Sequence, residues 1–366
     1  MINVINYLKN NSIDSLETKY GIKNSRHNKY NNLVLLKYGK VDSDFSVPLV
    51  KECRGIILDE KNNYNVVAFP FVKFMNYGEG NADKVDFKDM SVFEKCDGSM
   101  ICLYPYNNSW HVSTTGSADS SGKVSDFNFN FSELFWKVFN TYGQPLPDPD
   151  VNVCFFFELM TIYNKVVVAH EESKINLLGA RDLNSLKEIN IYEASKYLPN
   201  IPVAKSYTFN SFEDLLASLK EMPITQEGYV CVGNTLDGFS FPRVKAKAPA
   251  YCAAHHLKDG LRSNRSLAQV VISGEVSEVS TILPEYKDML NEIDYKYKKL
   301  IEEINLKYNE IKDVETQKEF AIYAVIHNYS SVLFSLRNKK NSSVEDCIKN
   351  MQIDSVIRLL GLKTAI

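Results

Sequence analysis

Residues 93–100, FEKCDGSM, interrupt a stretch that otherwise reads as a β-strand. Its apolar residues are typical of a pleated, half-buried segment, whereas Lys95, Asp97 and Gly98 add a cation, a carboxylate and a flexible backbone position. A charged side chain in an apolar setting costs free energy unless it is paired or binds something. The stretch therefore predicts a strand end that delivers a lysine to a site.

Composition sets the class of protein. The chain has 366 residues, 45% of them hydrophobic and 24% charged, which is ordinary for a soluble globular protein and long enough for two domains. A net charge of -3 argues against a general nucleic-acid coat. The seven cysteines are scattered without a C-x-x-C pair, which argues against a disulfide framework or a zinc site.

No apolar run is long enough to span a bilayer, and residues 1–11 lack the features of a secretory signal. We therefore expect no membrane contact and a cytoplasmic location, in the host cytoplasm if the protein is viral.

Short strand-like segments dominate residues 50–250. These segments are rich in β-branched and aromatic residues, turn-forming residues flank most of them, and their spacing predicts antiparallel sheets. The segments are 54–60, 65–69, 100–104, 110–114, 153–160, 165–169, 175–179 and 228–232. Helices are predicted at 131–140, 191–198 and 211–220, the last opened by Ser211. Residues 1–250 thus form a predicted α+β domain, although residues 1–50 carry no clear pattern.

Residues 251–366 predict a separate, all-helical domain. Apolar residues between Tyr286 and Ile311 recur at alternating intervals of three and four, as on one helix face, and further helices are predicted at 316–336 and 344–360. A coiled-coil dimer is the alternative for the first of these helices. Fewer than four heptads favour an intramolecular helix hairpin, and we expect a monomer.

Lys95 belongs to an ordered set of motifs. A K-x-D-G string alone is weak evidence, because it recurs by chance in roughly one chain in ten of this length. Several further motifs place a charged residue within or at the end of an apolar strand. Along the chain they are ECRG (52–55) and KFMN (73–76) before KCDGS (95–99), and FEL (157–159), EGYV (227–230) and VKAK (244–247) after it.

In this order and combination the motifs resemble those of the nucleotidyltransferase superfamily of ATP-dependent ligases and capping enzymes. More narrowly, the chain resembles the RNA ligase 1 family of T-even-type bacteriophages over essentially its whole length. The resemblance implies an antiparallel-sheet, ATP-grasp-like ligase domain followed by a helical domain that selects substrates. It implies ATP-dependent joining of RNA 5'-phosphate and 3'-hydroxyl ends, with broken tRNA as the biological target.

The resemblance gives Lys95 a chemical role. A lysine amine can attack the α-phosphorus of ATP, expel pyrophosphate and hold AMP as a phosphoramidate. Only the neutral amine is a nucleophile, so its proton must leave before or during the attack. Gly98 is expected to let the backbone approach the nucleotide, and Asp97 to orient either the loop or the nucleotide.

Two carboxylates and two further lysines complete the implied pocket. Glu158 and Glu227 are implied to contact the ribose or a metal, and such a pair suits Mg²⁺, with Mn²⁺ as an alternative. Lys245 and Lys247 alternate along one strand and so share a face. That face is expected to meet the α-phosphate and the charge developing on the leaving pyrophosphate.

Arg54 and Lys73 match family positions that handle the nucleotide and its phosphates. Two positions depart from the family pattern. Thr115 precedes Gly116 where the family tends to carry a basic residue, and Lys165 stands where arginine is more usual. One phosphate contact is therefore missing or supplied from elsewhere, and Lys165 lacks the bidentate geometry of arginine.

One crowd of basic residues is the candidate for a local polyanion site, although taken alone it favours a solvated face. It comprises Arg243, Lys245, Lys247, Lys258, Arg262 and Arg265, with His255 and His256; the RNKK string at 337–340 is a further candidate for phosphate contacts. Two alternatives stay open for the whole chain. One is a capping guanylyltransferase or DNA ligase, and the other is an adenylate- or RNA-end-binding protein without turnover.

Overall fold

The computed structural model describes residues 2–39, 43–164, 167, 170–258, 263–274, 276, 279–280, 283–338 and 343–363. The chain forms two compact units, Met1–Leu215 with Glu227–Lys247, and Leu216–Gln226 with Ala248–Ile366. The first unit contains three mostly antiparallel sheets and the second is helical, which confirms the predicted α+β class with C-terminal helices. The division into catalytic and substrate-selecting domains at residue 250 stays a prediction.

A four-stranded antiparallel sheet is built from the N-terminal part of the first unit. Its strands, in spatial order, are β1 (Ile22–Arg26), β2 (Leu33–Tyr38), β3 (Arg54–Asp59) and β4 (Asn65–Ala68). The first four residues of β2 are all buried, as expected of a short continuous apolar run. Helices α1 (Asn3–Leu8), α2 (Ile13–Tyr20) and α3 (Pro48–Glu52) accompany the sheet.

Two five-stranded sheets complete the first unit. The strands of one run in the order β11-β10-β9-β7-β8, those of the other β12-β6-β13-β14-β5, and only β14 and β5 pair in parallel. Their bounds are β5 Met75–Asn76, β6 Met90–Glu94, β7 Ser99–Tyr106, β8 Ser109–Thr114, β9 Val153–Met160, β10 Lys174–Asp182, β11 Glu188–Ile189, β12 Ser206–Tyr207, β13 Gly228–Gly233 and β14 Arg243–Lys247.

Most predicted elements of this region are confirmed. Each predicted strand has its counterpart except 165–169, which falls mostly outside the described residues. The helices are α4 (Phe131–Asn140), α5 (Ile191–Ser195) and α6 (Phe212–Lys220), and Ser211 accepts the backbone N–H of Asp214 as predicted.

Strand β9 separates two apolar clusters and so fixes the direction of its side chains. Cys154 and Phe156 belong to the cluster of the N-terminal sheet, whereas Phe155 and Phe157 pack in the cluster that contains α4. Because side chains alternate along a strand, Glu158 continues on the side of Phe156. This alternation carries a carboxylate to the end of a buried strand.

The second unit consists of helices. They are α7 (Pro249–Lys258), α8 (Asn264–Ile272), α9 (Lys287–Ile311), α10 (Gln317–Ala324), α11 (Ser330–Asn338), α12 (Val344–Lys349) and α13 (Ile353–Leu359). The apolar face predicted for α9 is buried, including Leu290, Ile293, Leu300 and Ile304. None of the helices in the described part of the chain is long and apolar enough to cross a membrane.

The single helix predicted over 316–336 is wrong, because α10 ends at Ala324 and α11 begins at Ser330. The intervening residues include His327 and Asn328, which have low helix propensity, and the chain turns there. The helix predicted over 344–360 is likewise divided, into α12 and α13.

Candidate active site

Lys95 lies where β6 ends and the loop to β7 begins. Its backbone N–H donates to the carbonyl of Gly228 at 2.9 Å, which ties the loop to β13. Its Nζ donates to Oε2 of Glu227 at 2.7 Å, and Nζ of Lys247 lies 2.8 Å from the other oxygen, Oε1. Glu227 is only 5% exposed. Two lysines from separate motifs, Lys95 and Lys247, therefore share the buried carboxylate of Glu227, which belongs to a third motif.

Lys95 and Lys247 line a cavity of about 340 Å³ within the first unit. Its lining includes six of the residues predicted for the site, namely Arg54, Lys73, Lys95, Glu158, Lys245 and Lys247. Apolar and aromatic side chains form much of the remaining wall, among them Phe71, Phe74 and Phe93. A concave, largely apolar site with a few convergent charges is the usual form of a small-molecule pocket.

Lys245 is the most perturbed cation of the pocket. Burial lowers the pKa of its amine to about 7, and the positive charges of Lys73, Lys95, Lys247 and Arg54 act in the same direction. Its Nζ lies 5.5 Å from the ring centroid of Phe74. Lys245 and Lys247 both line the cavity, which confirms that they share a face.

Glu158 is the matching perturbed acid. Burial raises the pKa of its carboxyl to about 7; the charge of Lys95 opposes this rise and that of Glu227 adds to it. Among the residues that the structure describes, Glu158 forms no hydrogen bond or ion pair through its carboxylate. Its oxygens are therefore available to a ribose hydroxyl or a metal ion.

Asp97 and Gly98 follow Lys95 in the loop, and neither is among the described residues that line the cavity. Asp97 accepts the backbone N–H of Val167 at 3.0 Å, and its carbonyl lies 2.6 Å from Nε2 of His170. A Cβ on Gly98 would collide with the carbonyl oxygen of Leu159. Asp97 thus holds a loop, one of its two expected roles, and the close approach at Gly98 is to the backbone of β9.

Arg54 lines the pocket from the start of β3. Its Nη1 lies 3.4 Å from the carbonyl oxygen of Phe71 and 3.3 Å from Sδ of Met100, and its guanidinium stacks 5.6 Å from the ring centroid of Phe74. A Cβ on Gly55, whose φ is +89°, would lie 3.1 Å from Cα of Thr115. Thr115, one of the two positions that depart from the family pattern, therefore lies close to Arg54. The other, Lys165, lies outside the described residues.

A buried ionic network supports the pocket and was missed by the sequence analysis. Glu188 is 4% exposed and lies between Arg243, whose Nη1 donates to Oε2 at 2.9 Å, and Arg181, whose Nη2 is 3.7 Å from Oε2. Both guanidinium groups lie over aromatic rings, those of Phe69 and Phe71.

The solvated face predicted for Arg243 is therefore wrong, because this residue is 6% exposed. The available signal was a charged residue inside an apolar strand, the pattern that singled out Lys95. The prediction fits Arg265, which is exposed and pairs with Asp354. Arg262 and residues 339–340 lie outside the described residues.

Comparison with known proteins points to one family. A family model described as RNA ligase matches residues 52–251, more than half of the chain. A protein of Autographa californica nuclear polyhedrosis virus, named as a bifunctional polynucleotide kinase/RNA ligase, is 29% identical over 310 residues, or 79% of this chain and 43% of its own. The RNA ligase of Rhodothermus phage RM378 is 25% identical over 310 residues, covering 66% of this chain and 70% of its own.

The chain thus spans less than half the length of the baculovirus relative. Among solved structures, an archaeal ATP-dependent RNA ligase has a TM-score of 0.45 at 12% identity, over 79% of this chain and 78% of its own. At these values the structural likeness adds nothing to the family match.

Proposed function

Because the chain belongs to the RNA ligase family, we propose that it is an ATP-dependent RNA ligase that acts through a lysyl-AMP intermediate on Lys95. The observation that carries the proposal is the placement of the Lys95 amine in a cation-lined cavity, 2.7 Å from a buried carboxylate. The biological task is RNA repair, with broken tRNA as the candidate substrate.

In the first step, Nζ of Lys95 forms a bond to the α-phosphorus of ATP, and the bond from that phosphorus to the β-phosphate bridging oxygen breaks. Pyrophosphate leaves with the bonding electron pair. Glu227 lies at hydrogen-bond distance from Lys95 and is in place to accept the proton of the amine. Lys245 and Lys247 stabilise the negative charge that develops on the phosphates.

The residues present fit a divalent cation. Glu158 offers a carboxylate with no partner in the described part of the chain, and the charge of Glu227 is close enough to raise the pKa of Glu158. Magnesium takes one or two carboxylates together with substrate phosphates, and Mn²⁺ is the alternative. When bound, the ion would neutralise phosphate charge; Glu158 and Glu227 would hold it.

Two further transfers complete the reaction. The 5'-phosphate of an RNA end attacks the phosphorus of lysyl-AMP, so that the lysine leaves and a 5'-5' pyrophosphate forms. The 3'-hydroxyl of a second end then attacks the RNA phosphorus of this anhydride and loses its proton, and AMP departs. Arg54 and Lys73 lie in the pocket wall, where they hold phosphates through these exchanges.

We assign the choice of RNA substrate to the helical second unit. We also propose that the enzyme is a monomer in the cytoplasm, where ATP and tRNA occur together. The helices carry mixed charge, with exposed pairs such as Lys296 with Glu292 and Lys298 with Asp294. The lysines of such ion pairs are already occupied, so contacts with RNA phosphates fall to other, individual basic side chains.

The test is an end-joining assay. Purified protein with ATP and magnesium is incubated with a 5'-phosphorylated single-stranded RNA, and we expect circular or joined products and a 5'-adenylylated intermediate. The same RNA with a 5'-hydroxyl is the control and should stay linear. Joining of a nicked all-DNA duplex alone would indicate a DNA ligase, and labelling by GTP instead of ATP a capping enzyme. Tight ATP binding without any joining would indicate a binding protein.

A further inference from the structure

The cations that line the pocket are held in two different ways. Lys95 and Lys247 contact the carboxylate of Glu227, and that contact offsets part of their charge. Arg243 likewise pairs with Glu188. In the ranges that the structure describes, three other cations of the wall form no ion pair with a carboxylate, namely Arg54, Lys73 and Lys245.

A pair of aromatic rings lies against one of these three cations, Lys73. Its Nζ lies 5.2 Å from the ring centroid of Phe45 and 5.4 Å from that of Tyr38. The two rings meet edge to face, with their centroids 5.0 Å apart. A cation over a ring face within about 6 Å of the centroid is attracted by the ring quadrupole. The ammonium group of Lys73 is therefore restrained by two rings.

The ring of Phe74 lies against the other two cations. Nζ of Lys245 is 5.5 Å from its centroid, and the guanidinium carbon of Arg54 is 5.6 Å from it. Phe74 in turn meets the ring of Phe71 edge to face, with the centroids 6.4 Å apart, and packs against the apolar cluster of the N-terminal sheet. A ring anchored in this way can restrain both side chains.

An aromatic ring restrains a cation without neutralising it. A carboxylate carries a full negative charge and accepts the N–H donors of a lysine or arginine, so it competes with a phosphate for them. A ring has no net charge and leaves those donors available. Because a long cationic side chain loses rotamer freedom when it binds a ligand, a side chain that is already restrained binds at a lower entropic cost.

We infer that Phe45 and Phe74 are positioning residues for the binding of phosphates in the pocket. Phe45 holds the amine of Lys73 in place for the phosphates of ATP, and Phe74 does the same for its two cations. The inference rests on the proposed function. Phe45 is not among the described residues that line the cavity, so it acts through Lys73 rather than through contact with the nucleotide.

The test measures the binding of two probes, inorganic pyrophosphate and adenosine, which present the phosphates and the nucleoside separately. Isothermal titration calorimetry gives both affinities without ATP or metal, in protein shown to be free of bound AMP. The variants Phe45→Leu and Phe74→Leu replace a ring by an apolar side chain. At about threefold for each cation released, pyrophosphate should bind about threefold more weakly to Phe45→Leu and about tenfold more weakly to Phe74→Leu. The affinity for adenosine should change by less than about twofold in either variant.

Tyr20→Leu provides the matched control. Tyr20 and Tyr7 also form an edge-to-face pair, and Nζ of Lys19 lies 5.1 and 5.3 Å from their centroids, but none of the three lines the cavity. The control should bind both probes like the wild type. Phe45→Tyr and Phe74→Tyr keep a ring and should bind pyrophosphate about as tightly as the wild type, which a loss of packing alone does not predict.

Pyrophosphate affinities like that of the wild type in both leucine variants would overturn the inference. So would an equal loss for adenosine and pyrophosphate in Phe74→Leu, because its ring would then contact the nucleoside or support the shape of the pocket. Phe45→Leu keeps the test decisive if Phe74→Leu does not fold, since Phe45 is half-buried and outside the cavity wall. A wild type that binds neither probe would contradict the proposed function, and the inference with it, and its failure to adenylylate itself with ATP identifies that case.

Discussion

The carboxyl of Glu158 makes the stability of the first unit depend on pH. Burial raises its pKa from an ordinary value of 4.5 to about 7. Between these values the folded chain holds a proton that the unfolded chain has lost, so the free energy of unfolding should fall as pH rises. The difference corresponds to up to about 3 kcal/mol, at about 1.4 kcal/mol per pH unit.

The variant Glu158→Gln keeps the shape of the side chain and removes its titration. We expect it to lose this pH dependence and to exceed the wild type in stability at about pH 8 by up to about 3 kcal/mol. Urea unfolding followed by tryptophan fluorescence measures the effect. Both tryptophans, Trp110 and Trp136, belong to the first unit, so the signal reports that unit.

The exposed residue Glu17 provides the matched control, because Glu17→Gln removes a carboxylate outside the pocket. This control should follow the wild type at each pH. Identical pH dependence of the wild type and Glu158→Gln would mean that the pocket does not raise the pKa of Glu158, contrary to this prediction.

Three further outcomes are expected. Gly98→Ala should lower the free energy of unfolding by about 1–3 kcal/mol, because the added Cβ would meet the carbonyl of Leu159. The control Gly122→Ala has open space around its Cβ and should leave the free energy of unfolding unchanged; urea unfolding measures both. Glu188→Ala should cost about 3–5 kcal/mol by the same measurement, because two buried arginines lose their counter-charge. Lys245→Arg should extend adenylylation to higher pH, because Lys245 loses its charge as pH rises through about 7 whereas arginine keeps its charge. A pH profile of adenylylation whose alkaline limb is the same in the variant and the wild type would contradict this prediction.

The central part of the site was predictable because each motif lies on or beside a strand with a clear pattern. Strand alternation indicated that Lys245 and Lys247 share a face, and the structure places both at the cavity. The order of the motifs indicated that Lys95 and Glu227 belong to one site, and these residues form a hydrogen bond. Their chemical roles remain proposals.

The remaining parts depend on contacts between distant segments. The network of Arg181, Glu188 and Arg243 joins three strands that no local pattern connects. The first two strands of the N-terminal sheet were not predicted, because residues 1–50 gave no pattern from which their pairing could be recognised. Single-sequence patterns report local periodicity, whereas register is set by the pairing of strands.

Covalent labelling tests the proposed lysyl-AMP mechanism most directly. Wild-type protein, Lys95→Ala and Lys95→Arg are incubated with α-labelled ATP and magnesium and separated by denaturing electrophoresis. We predict a labelled wild-type band and none for either variant, because arginine keeps the charge in the pocket without a nucleophilic amine. An unlabelled wild type, in a preparation shown to be free of bound AMP, or a labelled Lys95→Arg would contradict the lysyl-AMP mechanism.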